Sequence, residues 1–210
     1  MAAFGFESTG ALAHLRKADP ALAKVIEAIG PFGMQLKVSR SVFGALAEAI
    51  VYQQLSNKAA ATIYGRIEAL YPRARQGFTP AHILRTPDDR LRGAGLSRAK
   101  VLALRDLAQR VAKRELPTLE EAHLLEDGAL IERLVKVRGI GRWSAEMFLM
   151  FRLGRPDVLP SDDYSLRKAY ATAFRKRALP SREALEKAGE KWRPYRTVAS
   201  WYLWETLNRA

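Results

Sequence analysis

Apolar residues recur along this chain at helical spacing. After Ser41, the positions Phe43, Leu46, Ala47, Ile50 and Val51 fall at i, i+3, i+4, i+7 and i+8, the mark of a helix with one buried face. Val101, Leu104, Leu107, Ala108 and Val111 repeat it after Ser97, and Leu130, Ile131, Leu134 and Val135 do so after Asp127. Between these stretches lies helix-boundary chemistry. Asp19-Pro20 opens a segment carrying Leu22, Val25, Ile26 and Ile29, and Gly30-Pro31-Phe32-Gly33 ends it. Thr79-Pro80 and Thr86-Pro87 begin short helices, the second stopped by Gly93 and Gly95, while Thr118 and Glu121 have capping-box spacing. Leu36 to Val38 is the one plausible extended piece before the middle of the chain. The pattern predicts an all-α protein of about ten helices, folded as two helical lobes flanking a groove.

Composition narrows this picture. With 210 residues, 48% of them hydrophobic, the chain can bury a substantial core. No apolar run is long enough to span a bilayer, and no basic-then-apolar leader opens the sequence, so a cytoplasmic protein without membrane contact is expected. Cysteine is absent, which excludes disulfides, thiol nucleophiles, iron–sulfur clusters and zinc-finger sites together. The three histidines, His14, His82 and His123, are too scattered for a metal cluster. Lysine and arginine number 35 against 22 acidic residues, a formal charge of +13. The basic residues are interspersed through helical segments rather than gathered in a tail. A folded basic face for phosphates is the favoured reading, with anionic membranes and acidic partners as the competing ones.

Two local patterns carry chemistry. In "LVKVRGIGRWSAEMF", Gly139 and Gly141 flank Ile140 between two helical segments, Asp127–Val137 and one starting near Arg142. Glycine inside a helix costs about 1 kcal/mol relative to alanine, so the pair marks a tight break. A helix-starting turn offers unsatisfied N–H groups and partial positive charge, and glycine lets a phosphate approach that backbone. On these residues alone, a glycine-capped αα-hairpin is the plain alternative. In "LPSDDYSLRKAY", Asp162 and Asp163 stand at a helix start, where capping and dipole complementarity explain an acidic pair without any catalysis.

Taken together, the hairpin, the leucine at Leu134, the basic Arg142 and the small Ser144 and Ala145 resemble the helix-hairpin-helix of the DNA glycosylase superfamily, with Arg138 where the family often has proline. The resemblance implies that Arg138, Gly139, Ile140, Gly141, Arg142 and Ser144 hold DNA. It implies no required cofactor, and at most a structural monovalent cation, sodium or potassium, at the hairpin carbonyls. The family's catalytic carboxylate follows the hairpin at about the distance of Asp163, which takes that role and leaves capping to Asp162. A carboxylate there would stabilise the oxocarbenium-like sugar that forms as an N-glycosidic bond breaks.

Further likeness narrows the branch. Trp143 stands where the bifunctional relatives carry a lysine nucleophile, which implies a monofunctional enzyme using water. The stretch "AIVYQQLSNKAA" resembles the 3-methyladenine DNA glycosylase II family, in which a residue of this turn wedges into the gap left by a flipped base. Gln54 is the candidate, with Gln53 and Leu55 beside it, and two glutamines closing a helix are the ordinary reading. In "KWRPYRTVASWYLWETL", Trp201 and Trp204 share a helical face, more often a core stripe than a ligand box. The resemblance makes Trp204 the base-stacking residue, with Trp143, Tyr164, Met147 and Gln53 at other pocket positions. Met147 departs from an aromatic residue found in some relatives. An aromatic wall suits alkylated purines because N3- or N7-alkylation makes the base cationic.

The resemblance thus implies a monomeric repair enzyme that extrudes 3-methyladenine- or 7-methylguanine-type bases from duplex DNA and hydrolyses the glycosidic bond. It implies a short form without the N-terminal β-rich domain of some members. The lobes are placed at 1–40 plus 155–210 and at 41–154, the hairpin motif at 127–153. Arg98, Lys100 and Arg105 are candidate phosphate contacts, a solvated helix face being an equal reading for each. A glycosylase for deaminated or oxidised bases and a non-catalytic, structure-specific DNA-binding protein are the alternatives.

Overall fold

The structure, a computed structural model, describes residues 4–74 and 77–209. Among these residues there are thirteen α-helices, one 3-10 turn and no strand. In chain order they are α1 (Ser8–Ala18), α2 (Pro20–Ile29), α3 (Val42–Tyr52), α4 (Asn57–Ala69), α5 (Pro80–Arg85), α6 (Asp88–Gly93) and α7 (Arg98–Ala112). There follow α8 (Leu119–Leu124), α9 (Asp127–Leu134), α10 (Arg142–Phe151), α11 (Tyr164–Ala173), α12 (Arg182–Gly189), the 3-10 turn Glu190–Trp192 and α13 (Arg196–Asn208). The chain divides into two compact units, Met1–Val38 with Leu149–Ala210, and Ser39–Phe148. These divisions fall at 38/39 and 148/149, where the sequence reading places them at 40/41 and 154/155.

The first unit packs α1, α2, α11, α12 and α13 around Leu15, Leu22, Ile26, Leu166, Trp192 and Tyr202. Its centre is tied by Asp19. This residue caps α2 through Oδ1, which accepts the amides of Ala21 (3.1 Å) and Leu22 (3.3 Å). Its Oδ2 accepts from the Trp192 indole (2.8 Å) and pairs with Lys191 (2.9 Å). Burial pushes the Asp19 carboxyl up, but the bonds from Lys191, Trp192 and the Leu22 amide outweigh it and hold the group below its ordinary value.

The second unit buries the apolar face of α3, including Phe43, Leu46, Ile50 and Val51, with Val101, Leu104 and Leu107 of α7 among its other buried residues. The caps form where the sequence puts them. Ser41, Thr79, Ser97 and Thr118 each accept a backbone amide with the side-chain oxygen, and Thr118 with Glu121 completes a capping box.

Local expectations fail where a side chain finds a better partner. The Thr86 hydroxyl donates to the His82 carbonyl (2.9 Å) and meets the Tyr71 hydroxyl (2.6 Å), so Pro87 takes the N-cap place of α6. Glu126, not Asp127, precedes α9, which stops at Leu134. There the Val137 amide donates to the Leu134 carbonyl (3.1 Å), tightening the chain toward the hairpin. Leu36–Val38 forms no strand; the Lys37 amide makes one bond, to the Phe151 carbonyl (2.8 Å). Periodicity does not single out α1 or α4, each of which buries only two residues, too few to print a pattern.

Candidate active site and nucleic-acid interface

In the first unit, Asp163 stands at the N-terminus of α11. It is the N-cap: Oδ1 accepts the Leu166 amide at 2.6 Å. The expected division of labour between the two aspartates is therefore corrected. Asp162 does no capping and instead reaches Arg182 at 3.3 Å on the exposed side. The reason is geometric, since only the last residue before the helix can aim its side chain at the amide three positions on. The turn before it is tight, with the Asp163 amide donating to the Pro160 carbonyl (2.9 Å) and the Ser161 hydroxyl to Glu186 (2.8 Å).

The same Oδ1 accepts the indole N–H of Trp204 at 3.3 Å, across 41 residues of sequence. Trp204 is half-buried, and Phe151 stacks against it with ring centroids 6.3 Å apart and planes 25° from parallel. Trp201, three residues earlier, behaves as the core reading expects. It packs edge-on to Phe32 (5.0 Å) and Tyr202 (4.8 Å). One face of α13 thus divides its two indoles between core and carboxylate. The start of α13 is pinned by Thr197, whose hydroxyl donates to the Arg155 carbonyl (2.6 Å) and accepts the Val158 amide (3.0 Å), and by Arg196 on Asp157 (2.7 Å). These bonds fix the segment leading to Asp163 against the helix carrying Trp204. Tyr164 follows Asp163 and is 62% exposed, an open aromatic face beside the carboxylate.

In the second unit, the break after α9 is a hairpin closed by local bonds. The Ile140 amide donates to the Val137 carbonyl (3.0 Å) and the Ala145 amide to the Gly141 carbonyl (3.1 Å). Gly139 has φ of +81°, which requires a residue without a Cβ, whereas at Gly141 a Cβ would meet nothing within 4 Å. Ile140 is buried and anchors the turn, while Arg138, Gly139 and Gly141 are exposed. Arg142, at the first position of α10, pairs with the buried Glu146 at 2.9 Å, and Ser144 is half-buried. Trp143 is 47% exposed and Met147 half-buried, both on α10 in this unit.

Asp106 and Lys100, both on α7, hold the surroundings of this hairpin. The Arg138 amide donates to Asp106 Oδ2 (2.8 Å). The Lys100 ammonium donates to the carbonyls of Val51 (2.7 Å) and Gln53 (2.9 Å), and burial pushes its pKa down. Gln53 is half-buried and its amide nitrogen donates to the Gly139 carbonyl (2.8 Å). Gln54 and Leu55, the next two residues, are exposed, and Gln54 has φ of +57°. Arg105 is engaged inside the unit, on Asp88 and on the carbonyls of Ile83 (2.7 Å) and Leu84 (2.8 Å) at the end of α5. Lys100 and Arg105 thus serve the fold, a correction to their reading as phosphate contacts; their partners lie 17 to 49 residues away, beyond what helical spacing reveals.

The geometry therefore supplies a helix-capping carboxylate under an indole in one unit. The other contributes a turn of exposed backbone beside an exposed Gln-Leu pair. Asp106 and Phe151 are the participants that the sequence does not advertise. Phe151 lies four residues beyond Met147 on α10, and that spacing is the signal that could have found it. For Asp106 there is none.

Comparison with known proteins agrees over most of the chain. The DNA-3-methyladenine glycosylase 1 of Schizosaccharomyces pombe is 35% identical over 203 residues, 96% of this chain and 89% of that protein. A solved structure of the Schizosaccharomyces pombe 3-methyladenine DNA glycosylase in complex with abasic DNA superposes with a TM-score of 0.83 at 34% identity, covering 95% of this chain and 97% of that one. A DNA-3-methyladenine glycosidase from Bacillus halodurans gives a TM-score of 0.84 at 36% identity, with 93% and 88% of the two chains covered. Residues 47–194, from within α3 to just past the 3-10 turn, match the family model of the HhH-GPD superfamily base excision DNA repair proteins, and the chain belongs to that family.

Proposed function

We infer that this protein is a monofunctional DNA glycosylase of base excision repair that removes alkylated purines of the 3-methyladenine and 7-methylguanine type from duplex DNA. The observation that carries the reading is the pairing of Asp163 and Trp204 on one oxygen, within a family whose members act in base excision repair. The relatives named for 3-methyladenine support the substrate class.

In this mechanism the hairpin takes a DNA phosphate at its exposed Gly139 and Gly141, with Arg138 before them and Arg142 and Ser144 at the start of α10. The lesion leaves the stack, Gln54 or Leu55 filling the gap, and its cationic ring rests on the aromatic faces of Trp204 and Tyr164. As the glycosidic bond breaks, positive charge develops on the sugar and the Asp163 carboxylate stabilises it. The bonds from Leu166 and Trp204 fix that carboxylate before substrate arrives, so its orientation costs nothing at the moment of reaction. Water attacks the sugar; Trp143 offers no amine for a covalent intermediate. An alkylated base is already a good leaving group, and no strong general acid is needed.

A monovalent cation has no step in this scheme. The carbonyls of Val137, Gly139 and Gly141 accept bonds from Ile140, Gln53 and Ala145, so a cation there would share them with protein donors. Among the described residues no group of three or more His, Asp or Glu is placed to hold a metal, and no helix is long and apolar enough to cross a membrane. The protein is proposed to act as a monomer on DNA in the bacterial cytosol.

The test is release of 3-methyladenine and 7-methylguanine from methylated duplex DNA by wild type and Asp163→Asn. Wild type should release base, and the variant should bind DNA while release falls about a hundredfold or more. Binding by wild type with no release from a broad set of lesions would sink the enzymatic reading.

A further inference from the structure

One face of α7 holds two exposed turns at once. Lys100, Ala103 and Asp106 recur every three residues along it. Lys100 takes two carbonyls where α3 ends, that of Val51 in its last turn (2.7 Å) and that of the C-cap Gln53 (2.9 Å). The Ala103 methyl lies 3.5 Å from where a Cβ of Gly139 would stand, and Asp106 takes the Arg138 amide at 2.8 Å. Asp106 is itself held by Arg110 at 2.9 Å. A direct bridge joins the two turns: the Gln53 amide nitrogen on the Gly139 carbonyl at 2.8 Å, across 86 residues of sequence.

Beside that bridge the backbone is strained. Gln54 sits at φ of +57°, a left-handed conformation that costs a side-chain-bearing residue about 1–2 kcal/mol. Such a conformation persists only where its surroundings fix it. Here the residue before it is held at both ends, its carbonyl by Lys100 and its side chain by Gly139. Residue 53 is thus fixed twice while residues 54 and 55 project.

We propose that Gln53 is a positioning residue, a strut that sets the register between the DNA-wedging turn Gln54-Leu55 and the phosphate-holding hairpin, with the Lys100–Asp106 face of α7 as its footing. It touches neither base nor sugar. The hairpin fixes one phosphate, and the strut transmits that position to the wedge. A wedge displaced by about 1 Å from the gap loses much of its effect. The inference rests on the functional reading given above, since it takes the hairpin as the phosphate site and Gln54-Leu55 as the wedge. It replaces the base-pocket role that the family resemblance implies for Gln53.

The experiment is a double-mutant cycle of Gln53→Met and Gln54→Ala. Methionine keeps the length of glutamine and removes the donor. Two quantities are read: the ratio of affinities for a duplex with a tetrahydrofuran abasic-site analogue and for the same undamaged duplex, and the single-turnover rate of base release from methylated DNA. Gln53→Met should melt within a few degrees of wild type and bind undamaged DNA within about twofold, because the hairpin itself is intact. Its affinity ratio and release rate should each fall about tenfold. In that background Gln54→Ala should add clearly less than it costs alone, as coupled residues do. Fully independent losses, or an equal loss on undamaged DNA, would overturn the strut. Should Gln53→Met lose its fold, Gln53→Glu, of the same shape with an acceptor in place of the donor, carries the same expectation. Absence of base release by wild type would count against the glycosylase reading alone, and the affinity cycle on abasic DNA would still decide the strut.

Discussion

Asp19 and Asp163 are built alike. Each stands at the N-cap of a helix in the same unit, and each accepts both a backbone amide of that helix and an indole N–H from far along the chain. What separates them is the rest of their surroundings. Asp19 is 1% exposed, uses Oδ1 for the helix and Oδ2 for Trp192, and has Lys191 at 2.9 Å to neutralise it. Asp163 is partly open, and the Leu166 amide and the Trp204 indole converge on its Oδ1. The first is a carboxylate whose two oxygens and charge are already matched inside the protein. The second has one oxygen held by two neutral donors, a backbone amide and an indole, and is only partly buried. Capping chemistry alone therefore does not distinguish the two aspartates; their burial does.

Removing each carboxylate in turn breaks the comparison most sharply. Asp19→Ala should lower stability by roughly 2–4 kcal/mol, about 1 for the lost cap and 1–3 for the buried indole N–H left without an acceptor. Denaturant unfolding reads that loss, and base release per folded molecule should stay near wild type. Asp163→Asn should do the reverse, with release nearly abolished and unfolding little changed; a large stability loss without a loss of release would erase the distinction.

Acid sharpens the contrast next. A carboxyl depressed in the folded state stabilises the fold above its unfolded value, and that contribution disappears as pH falls through the lower folded value. The unfolded value for Asp19 is 3.8 and its folded one lies below. The stability difference between wild type and Asp19→Asn should therefore be flat above pH 3.8 and shrink below it. A difference that changes between neutral pH and pH 5 would assign the effect to another group. The smallest effect belongs to Asp162, whose partner Arg182 lies at 3.3 Å with both side chains substantially exposed. Asp162→Ala should change stability by at most about 0.5 kcal/mol and leave base release intact.

The same contrast explains what the sequence could reveal. Caps at Asp19, Ser41, Ser97 and Thr118 are legible because donor and acceptor lie within three residues, and the long apolar faces of α3 and α7 are legible because burial imposes a period. The placement of Asp163 at a helix start is legible from the acidic pair. Its capping role is not, because two adjacent aspartates offer the same chemistry and only backbone direction chooses between them. Lys100, Arg105 and Asp106 escape for another reason. Besides the ion pairs of Arg105 with Asp88 and of Asp106 with Arg110, the partners that place them are carbonyls and amides, which every residue carries, so no side-chain pattern marks those contacts. Short helices such as α1 and α4 escape because they present too little apolar surface to generate a period.

The indole on each aspartate gives the protein a built-in optical readout. Of its four tryptophans, Trp192 is wholly buried with its N–H on Asp19, and Trp204 is half-buried with its N–H on Asp163. Indole emission follows local polarity and the state of the N–H bond, so the two chromophores monitor different events. Light from Trp192 changes when the core of its unit opens, whereas light from Trp204 changes when something displaces water or the carboxylate beside it. With Trp143 and Trp201 replaced by phenylalanine, one emission spectrum would follow folding and ligand arrival in a single cuvette without a label.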